Sequence, residues 1–333
     1  MTPRRSKLST ALLVLAPMIV GLMALGAGVR AMNAGLACPD WPLCFGRVIP
    51  DFHVGVYFEF IHRAYAGFVA LFFVGCFVAV LRSKSAPKPA KILGWAGLAL
   101  LAGQIVMGGL TVLRLLKIVI VTSHLMLATL FFSVVLWMYF LLERKSGPAD
   151  AANRAPAPFR SAVAVIPVLI LTQITLGGLV ASSYAGQVCV DFPLCNGQWA
   201  PTFQGALGLQ VLHRFSAYAI VSVAWVLAFA TWLLRDRPWA TPQIKRWAGF
   251  LALAVFAQMC VGIANLLLYV PPLMTVFHQS MALAALAVSY RLAFVVWLAP
   301  GAPTEARSTA RSGGSGRGVG LGVGMGALDG VQR

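Results

Sequence analysis

Eight apolar runs, each near the length that crosses a hydrocarbon core, constrain this chain more than any other feature. They fall at about 8–30, 55–81, 92–113, 118–142, 161–182, 208–234, 247–269 and 273–298. A segment of that length in lipid has to satisfy its backbone polar groups internally, so each run is predicted as a helix. Composition agrees: 59% of the residues are hydrophobic and 11% charged, too apolar for a soluble domain of 333 residues. The fold class is therefore an all-α integral membrane protein with eight transmembrane helices.

The formal charge of +17 invites a nucleic-acid reading, but the cations sit in short runs between apolar spans instead of clustering with aromatic residues on one face. No nucleic acid is expected as a partner. Arg4, Arg5 and Lys7 precede the first helix; Arg82, Lys84, Lys88 and Lys91 follow the second; Arg144, Lys145, Arg154 and Arg160 follow the fourth. Arg235, Arg237, Lys245 and Arg246 follow the sixth, and Arg307, Arg311, Arg317 and Arg333 lie in the tail. An excess of cations on one side marks the cytoplasmic face, so both termini are expected there and the loops at about 31–54 and 183–207 on the outer side.

An internal repeat organises the spans. Glu59-Phe60-Ile61-His62-Arg63 returns as Gln210-Val211-Leu212-His213-Arg214, an offset of 151 from His62 to His213. At the same offset Gly26, Val29, Ala34 and Gly35 match Gly177, Val180, Ala185 and Gly186, so the first helix belongs to the fold and is not a cleaved signal. Gln104 and His124 match Gln258 and His278 at 154. The chain is thus predicted as two tandem four-helix bundles related by a pseudo-two-fold axis along the membrane normal. The halves are 8–142 and 161–298, with a cytoplasmic linker at 143–160 and a disordered cytoplasmic tail at 299–333.

Four of the five histidines lie in spans: His62, His124, His213 and His278, one on each even-numbered helix. Five to eight residues from the outward helix ends, they share a layer roughly 8–12 Å below the outer surface at 1.5 Å per residue. A lone intramembrane histidine is often a helix-to-helix hydrogen-bonding residue. Four at one depth point instead to two imidazole pairs, His62 with His124 and His213 with His278, each clamping a flat iron macrocycle between helices. Zinc or copper would ask for further soft ligands in that layer, which the sequence does not supply.

Glu59 lies one turn before His62 on the same face. It reads equally as a helix-dipole complement or an (i, i+4) partner of Arg63; its replacement by Gln210 in the second half favours a chemical role. Gln104, Gln173 and Gln258 are polar groups at lipid depth whose partners the sequence does not name. Gly108-Gly109 and Gly177-Gly178 allow close approach of either a helix or a porphyrin face. The cysteines bracketing the outer loops are read as disulfides Cys38–Cys44 and Cys189–Cys195, on an oxidising side with turn-forming residues between them. Arg63 and Arg214 point toward heme propionates or lipid headgroups. His53 is read as a solvated loop residue.

Glu-x-x-His-Arg on the second helix, single histidines on helices four, six and eight, Cys-bracketed outer loops and the four-plus-four repeat resemble the heme A synthase family, in its Cys-containing bacterial form, over about 8–298. The resemblance implies a bacterial inner-membrane oxidoreductase that converts the C8 methyl of heme O to a formyl group, yielding heme A for terminal oxidases. It implies Glu59 as the catalytic residue, His62 and His124 as ligands of the substrate heme, and His213 and His278 as ligands of a heme b cofactor. Heme O synthase, an unidentified electron donor, membrane lipid and a second copy of the chain are the partners it admits. Two other classes use some of the same features. A quinol-oxidising di-heme cytochrome would carry two equivalent heme b groups, and a transporter with parallel repeats would place its polar cavity at the midplane.

Overall fold

The computed structural model describes residues 6–144 and 154–298. Residues 145–153 of the expected linker and the whole expected tail lie outside them, with Arg4, Arg5, Lys145 and the four tail arginines. The described residues form eight long helices: α1 Lys7–Ala31, α2 Val54–Arg82, α3 Lys88–Leu113, α4 Ile118–Glu143, α5 Ala157–Ser182, α6 Gly205–Leu233, α7 Pro242–Leu267 and α8 Pro272–Trp297. All eight are long and apolar enough to cross a membrane; the shortest, at 25 residues, is about 38 Å long.

Proline occupies the first turn of α3, α5, α7 and α8, where its missing N–H is one that no helix would have bonded. Those first turns also carry Lys88, Arg160 and Lys245, so hydropathy reads them as loop. The helices start at Lys88, Ala157 and Pro242 instead of 92, 161 and 247. The repeat survives in the backbone where helices stop. Asn33 and Tyr184 are left-handed after α1 and α5, and Leu115-Leu116 and Tyr269-Val270 after α3 and α7. Three of these stops, after α1, α3 and α7, are closed by an N–H reaching back five residues, Ala34 to Val29, Leu116 to Thr111 and Val270 to Asn265, all at 2.8 Å.

The two halves are tandem four-helix bundles. α1, α4, α5 and α8 pack on one another at the centre, α2 and α3 flank one side, and α6 and α7 flank the other. Half of the apolar window of α8 is buried, against 17% for α3 and α7, so the flanking helices are the ones left facing lipid. Polar side chains tie the halves together. Thr122 bonds Ser182 and the Tyr290 hydroxyl bonds Ser133, each at 3.0 Å, and Gln279 donates to the Met23 carbonyl at 3.0 Å. Gly178 brings α5 close to α4, since a Cβ there would stand 2.8 Å from Leu125.

The apolar core fills the half of the bundles away from the cysteine loops, with Leu12, Leu15, Phe73, Val80, Met138, Ile166, Leu251, Leu286 and Leu292 fully buried. Toward the loops the packing opens. No residue of α2 between Glu59 and Val69 is buried, none of α4 between Thr122 and Thr129, none of α6 between Val211 and Ile220, and none of α8 before Leu283. Every one of those intervals contains a histidine.

Candidate functional site

His62 and His213 stand at matching places on α2 and α6, and His124 and His278 on α4 and α8, all near the loop-side ends. Each of the four histidines is partly buried. His62 and His124 lie within electrostatic range of each other, as do His213 and His278.

A glycine on the preceding helix makes room for every ring. A Cβ would stand 3.0 Å from His62 Cε1 at Gly26, 3.1 Å from His124 at Gly108, 3.2 Å from His213 at Gly177 and 2.8 Å from His278 at Gly262. Real Cβ contacts at such distances are rare, so these four glycines are cradles for imidazoles. Gly108 and Gly177, left open between helix packing and a macrocycle, thus face histidine rings. The glutamines find partners in the same rings. The Gln104 amide nitrogen lies 3.3 Å from His124 Nε2, that of Gln173 3.1 Å from His213 Nδ1, and that of Gln258 3.2 Å from His278 Nδ1.

These residues fit a heme. The helices are least tightly packed at the histidine layer, and several polar atoms there are buried without a hydrogen-bond partner: His62 Nδ1, His124 Nδ1, Gln104 Oε1 and Gln258 Oε1. Buried polar atoms of that kind cost free energy unless something satisfies them. Among the described residues no three His, Cys, Asp or Glu side chains gather as they would around a metal ion, so each site offers its imidazole pair. Two neutral nitrogens from facing helices match a heme iron, whose remaining four positions the macrocycle fills.

Glu59 is 4% exposed. Its carboxylate pairs with Arg63 at 2.5 Å and accepts the Cys38 N–H at 2.9 Å, latching the α1–α2 loop to α2. The (i, i+4) pairing is therefore present in the fold. Gln210 takes its place in the second half, 7% exposed, with Oε1 buried and unpartnered. Arg63 donates to the carbonyls of Asp40 at 2.8 Å and Leu43 at 2.7 Å, and Arg214 to those of Leu194 at 2.6 Å and Cys189 at 3.1 Å. Both guanidinium groups hold loops.

Those loops are closed by disulfides Cys38–Cys44 and Cys189–Cys195. Within each, an aspartate caps a left-handed turn. Asp40 accepts the N–H groups of Phe45 and Gly46, both at 2.7 Å, and Asp191 those of Asn196 at 2.5 Å and Gly197 at 2.9 Å. The two carboxyls are held below the ordinary aspartate range, chiefly by the glycine N–H of each turn. His53 is exposed on the α1–α2 loop, at the edge of a cleft of about 750 Å³ shared with Arg47 and Asp51.

Residues 9–290 match the family described as "Cytochrome oxidase assembly protein". The chain belongs to that family. Relatives called "Heme A synthase" include one from Methylorubrum populi, 30% identical over 85% of this chain and 85% of its own length. Others are from Shewanella oneidensis, 26% identical over 82% and 92%, and from a Methylobacterium species, 29% identical over 87% and 92%. The cytochrome oxidase assembly match starts in α1 and ends in α8, so it takes in both histidine pairs and both disulfide loops.

Sequence reasoning left the glutamines without partners and missed the aspartate caps. A signal for the first was present. Gln-x-x-x-Gly occurs on the third, fifth and seventh spans at Gln104–Gly108, Gln173–Gly177 and Gln258–Gly262, a spacing of about one helical turn that puts both residues on one face. For the second, the repeated Cys-x-Asp-x-Pro-Leu-Cys-x-Gly marks a carboxylate beside two residues able to take positive φ.

Proposed function

We propose that this chain is a heme A synthase, oxidising the C8 methyl group of heme O to a formyl group, with the first half as substrate site and the second as cofactor site. The relatives' shared name supports the reaction. The observation that carries the assignment of the halves is the replacement of Glu59 by Gln210 in a site whose histidines and cradling glycines are duplicated. A di-heme electron carrier would have no use for a carboxylate beside one pair alone.

In this reading His62 and His124 hold heme O by its iron, and His213 and His278 hold heme b. Heme b, when bound, supplies electron transfer to the substrate half. The residues of the chain set the rest. The imidazole pair fixes the substrate's depth, and Gly26 and Gly108 leave space for the rings that orient it. Glu59, buried one turn from His62 and fixed by Arg63 and the Cys38 N–H, takes up a proton as a methyl C–H bond is broken, with dioxygen as the oxidant that accepts the electrons of both the methyl group and the donor. Each guanidinium has five N–H donors, and the loops use some of them, so Arg63 and Arg214 are also assigned to heme propionates. A heme O synthase would supply the substrate and a separate donor the electrons. The cations at Arg82–Lys91 and Arg235–Arg246 support an inner-membrane orientation with both termini cytoplasmic.

Glu59→Gln tests the assignment. The variant should insert, retain heme b and accumulate heme O with no heme A in extracted pigments. Wild-type heme A production by that variant would remove Glu59 from the chemistry.

A further inference from the structure

Three ionisable groups on the cysteine-loop side of the first half have amides as their counterparts in the second. At the offset of 151, Arg47 answers to Gln198, His53 to Gln204 and Glu59 to Gln210. Glu59 is buried, whereas Arg47 and His53 are exposed and line one cleft of about 750 Å³. Its lining also includes Met32, Phe45 and Phe52, with the buried Ala34 and Val56 beneath them. That volume falls within the range of sites that hold small organic molecules, about 300–1,000 Å³. Arg47 pairs with Asp51 at 2.6 Å, but both are exposed. Such a surface pair contributes little, and a guanidinium has five donors to share with a second carboxylate.

The two halves also seat this stretch of loop differently. In the second, the chain lies against the start of α6 at Gly208, where a Cβ would stand 2.1 Å from the Phe203 carbonyl carbon. The counterpart of Gly208 is Tyr57, and a side chain there forbids that approach. The Tyr57 ring instead meets Phe52 edge-on at 4.9 Å, and its hydroxyl donates to the Pro50 carbonyl at 3.4 Å. Tyr57 thus props the loop off α2 beside the cleft. His53 sits just before the first turn of α2 and its ring makes no capping hydrogen bond, which leaves the imidazole available to a ligand. Ala37 in the cleft adjoins Cys38, whose N–H Glu59 accepts, and Val56 stands three residues before Glu59. The cleft therefore ends one turn from Glu59 and, at 1.5 Å per residue, about 9 Å along α2 from His62.

An imidazole for an iron, a guanidinium for a carboxylate and apolar side chains for a macrocycle and its alkyl tail together suit an amphipathic iron porphyrin. We propose that this cleft is a docking site for heme on its way to and from the buried His62–His124 pair, with His53 as a transient axial ligand and Arg47 as the propionate contact. This rests on the assignment of the first half to the substrate heme. Substrate has to enter and product to leave that half at every turnover, whereas a heme b cofactor stays, and the loop of the second half offers amides at both places.

Hemin is the probe, mixed with full-length protein purified from cells that make no heme O and checked by heme content for an empty first half. The Soret band is followed in time. The parent should show a fast phase, docking in the cleft, and a slow phase, transfer to the buried pair. His53→Ala should remove the fast phase and slow the second about tenfold, the effect of roughly one polar contact, without lowering the final heme content. Arg47→Gln should weaken the fast phase, and His62→Ala should keep the fast phase and lose the slow one. Gln204→Ala, the matching change in the second half, should behave like the parent. A fast phase that survives His53→Ala unchanged, or that Gln204→Ala reduces as much, would overturn the proposal, and so would a lower final heme content in His53→Ala. Failure of the underlying reading looks different, because His62→Ala would then still yield heme A in cells that make heme O, whatever the uptake rates.

Discussion

Gly262→Ala pits helix propensity against the cradle of His278. Alanine is better than glycine inside a helix by about 1 kcal/mol, so α7 itself gains. The new methyl would stand 2.8 Å from His278 Cε1, whereas ordinary contact begins at 3.4 Å, so that ring edge has to retreat by about 0.6 Å (3.4 − 2.8). Both ring nitrogens, at 3.4 and 3.6 Å from the same point, move with it, and a metal ligand tolerates displacements of about 0.5 Å. Gln258, 3.2 Å from Nδ1, limits where the ring can go. The expected variant inserts and unfolds at the parental temperature or slightly above it, yet its heme content per chain falls and what remains shifts from a low-spin to a high-spin spectrum. Gly249→Ala on the same helix is the control. A Cβ there meets nothing within 4 Å, so the same propensity gain should leave heme untouched. Full heme content and an unchanged spectrum in Gly262→Ala would refute the cradle. Heme loss in Gly249→Ala would place the effect on the helix instead of the ring.

Arg63→Gln leaves the buried Glu59 carboxylate without its cation, a change that costs about 3–5 kcal/mol. Arg214→Gln breaks loop hydrogen bonds beside an uncharged Gln210 and should cost about 1–3 kcal/mol. Thermal unfolding in detergent should therefore rank Arg63→Gln well below Arg214→Gln, and equal losses would mean that the ion pair contributes little. The loop carboxyls give a pH dependence of known sign. Asp40 and Asp191 have folded pKa values below the free value of 3.8, so their contribution is complete above that value and fades as pH falls through the folded one. Protection of the Phe45, Gly46, Asn196 and Gly197 amides against hydrogen exchange should hold at neutral and mildly acidic pH and decline below about 3.8; loss of protection already near pH 6 would contradict the assignment.

The spans were legible because hydrocarbon thickness sets a length that hydropathy can read, and the repeat was legible because His-Arg and the cysteine brackets returned at one offset. Starts such as Lys88 and Pro242 were not, since a polar first turn carries no apolar signal even though proline is compatible with it. Histidine depth followed from counting residues, but ring surroundings did not. A glycine looks the same in sequence whether it faces a helix or an imidazole, and Gln104 acquires its partner only when α3 is laid against α4. Glu59 shows the limit most clearly. The sequence offered three readings, a helix-dipole complement, a pair with Arg63 and a group beside the first histidine pair; α2 starts too early for the first, and the fold shows the second.

Extraction and identification of the hemes by mass, with quantitation per chain, tests the central claim most directly when run on the parent and on single His→Ala variants. His62→Ala and His124→Ala should lose the heme O or heme A species and keep heme b, while His213→Ala and His278→Ala should lose heme b. Four variants that each retain the parent's full heme complement would contradict the account.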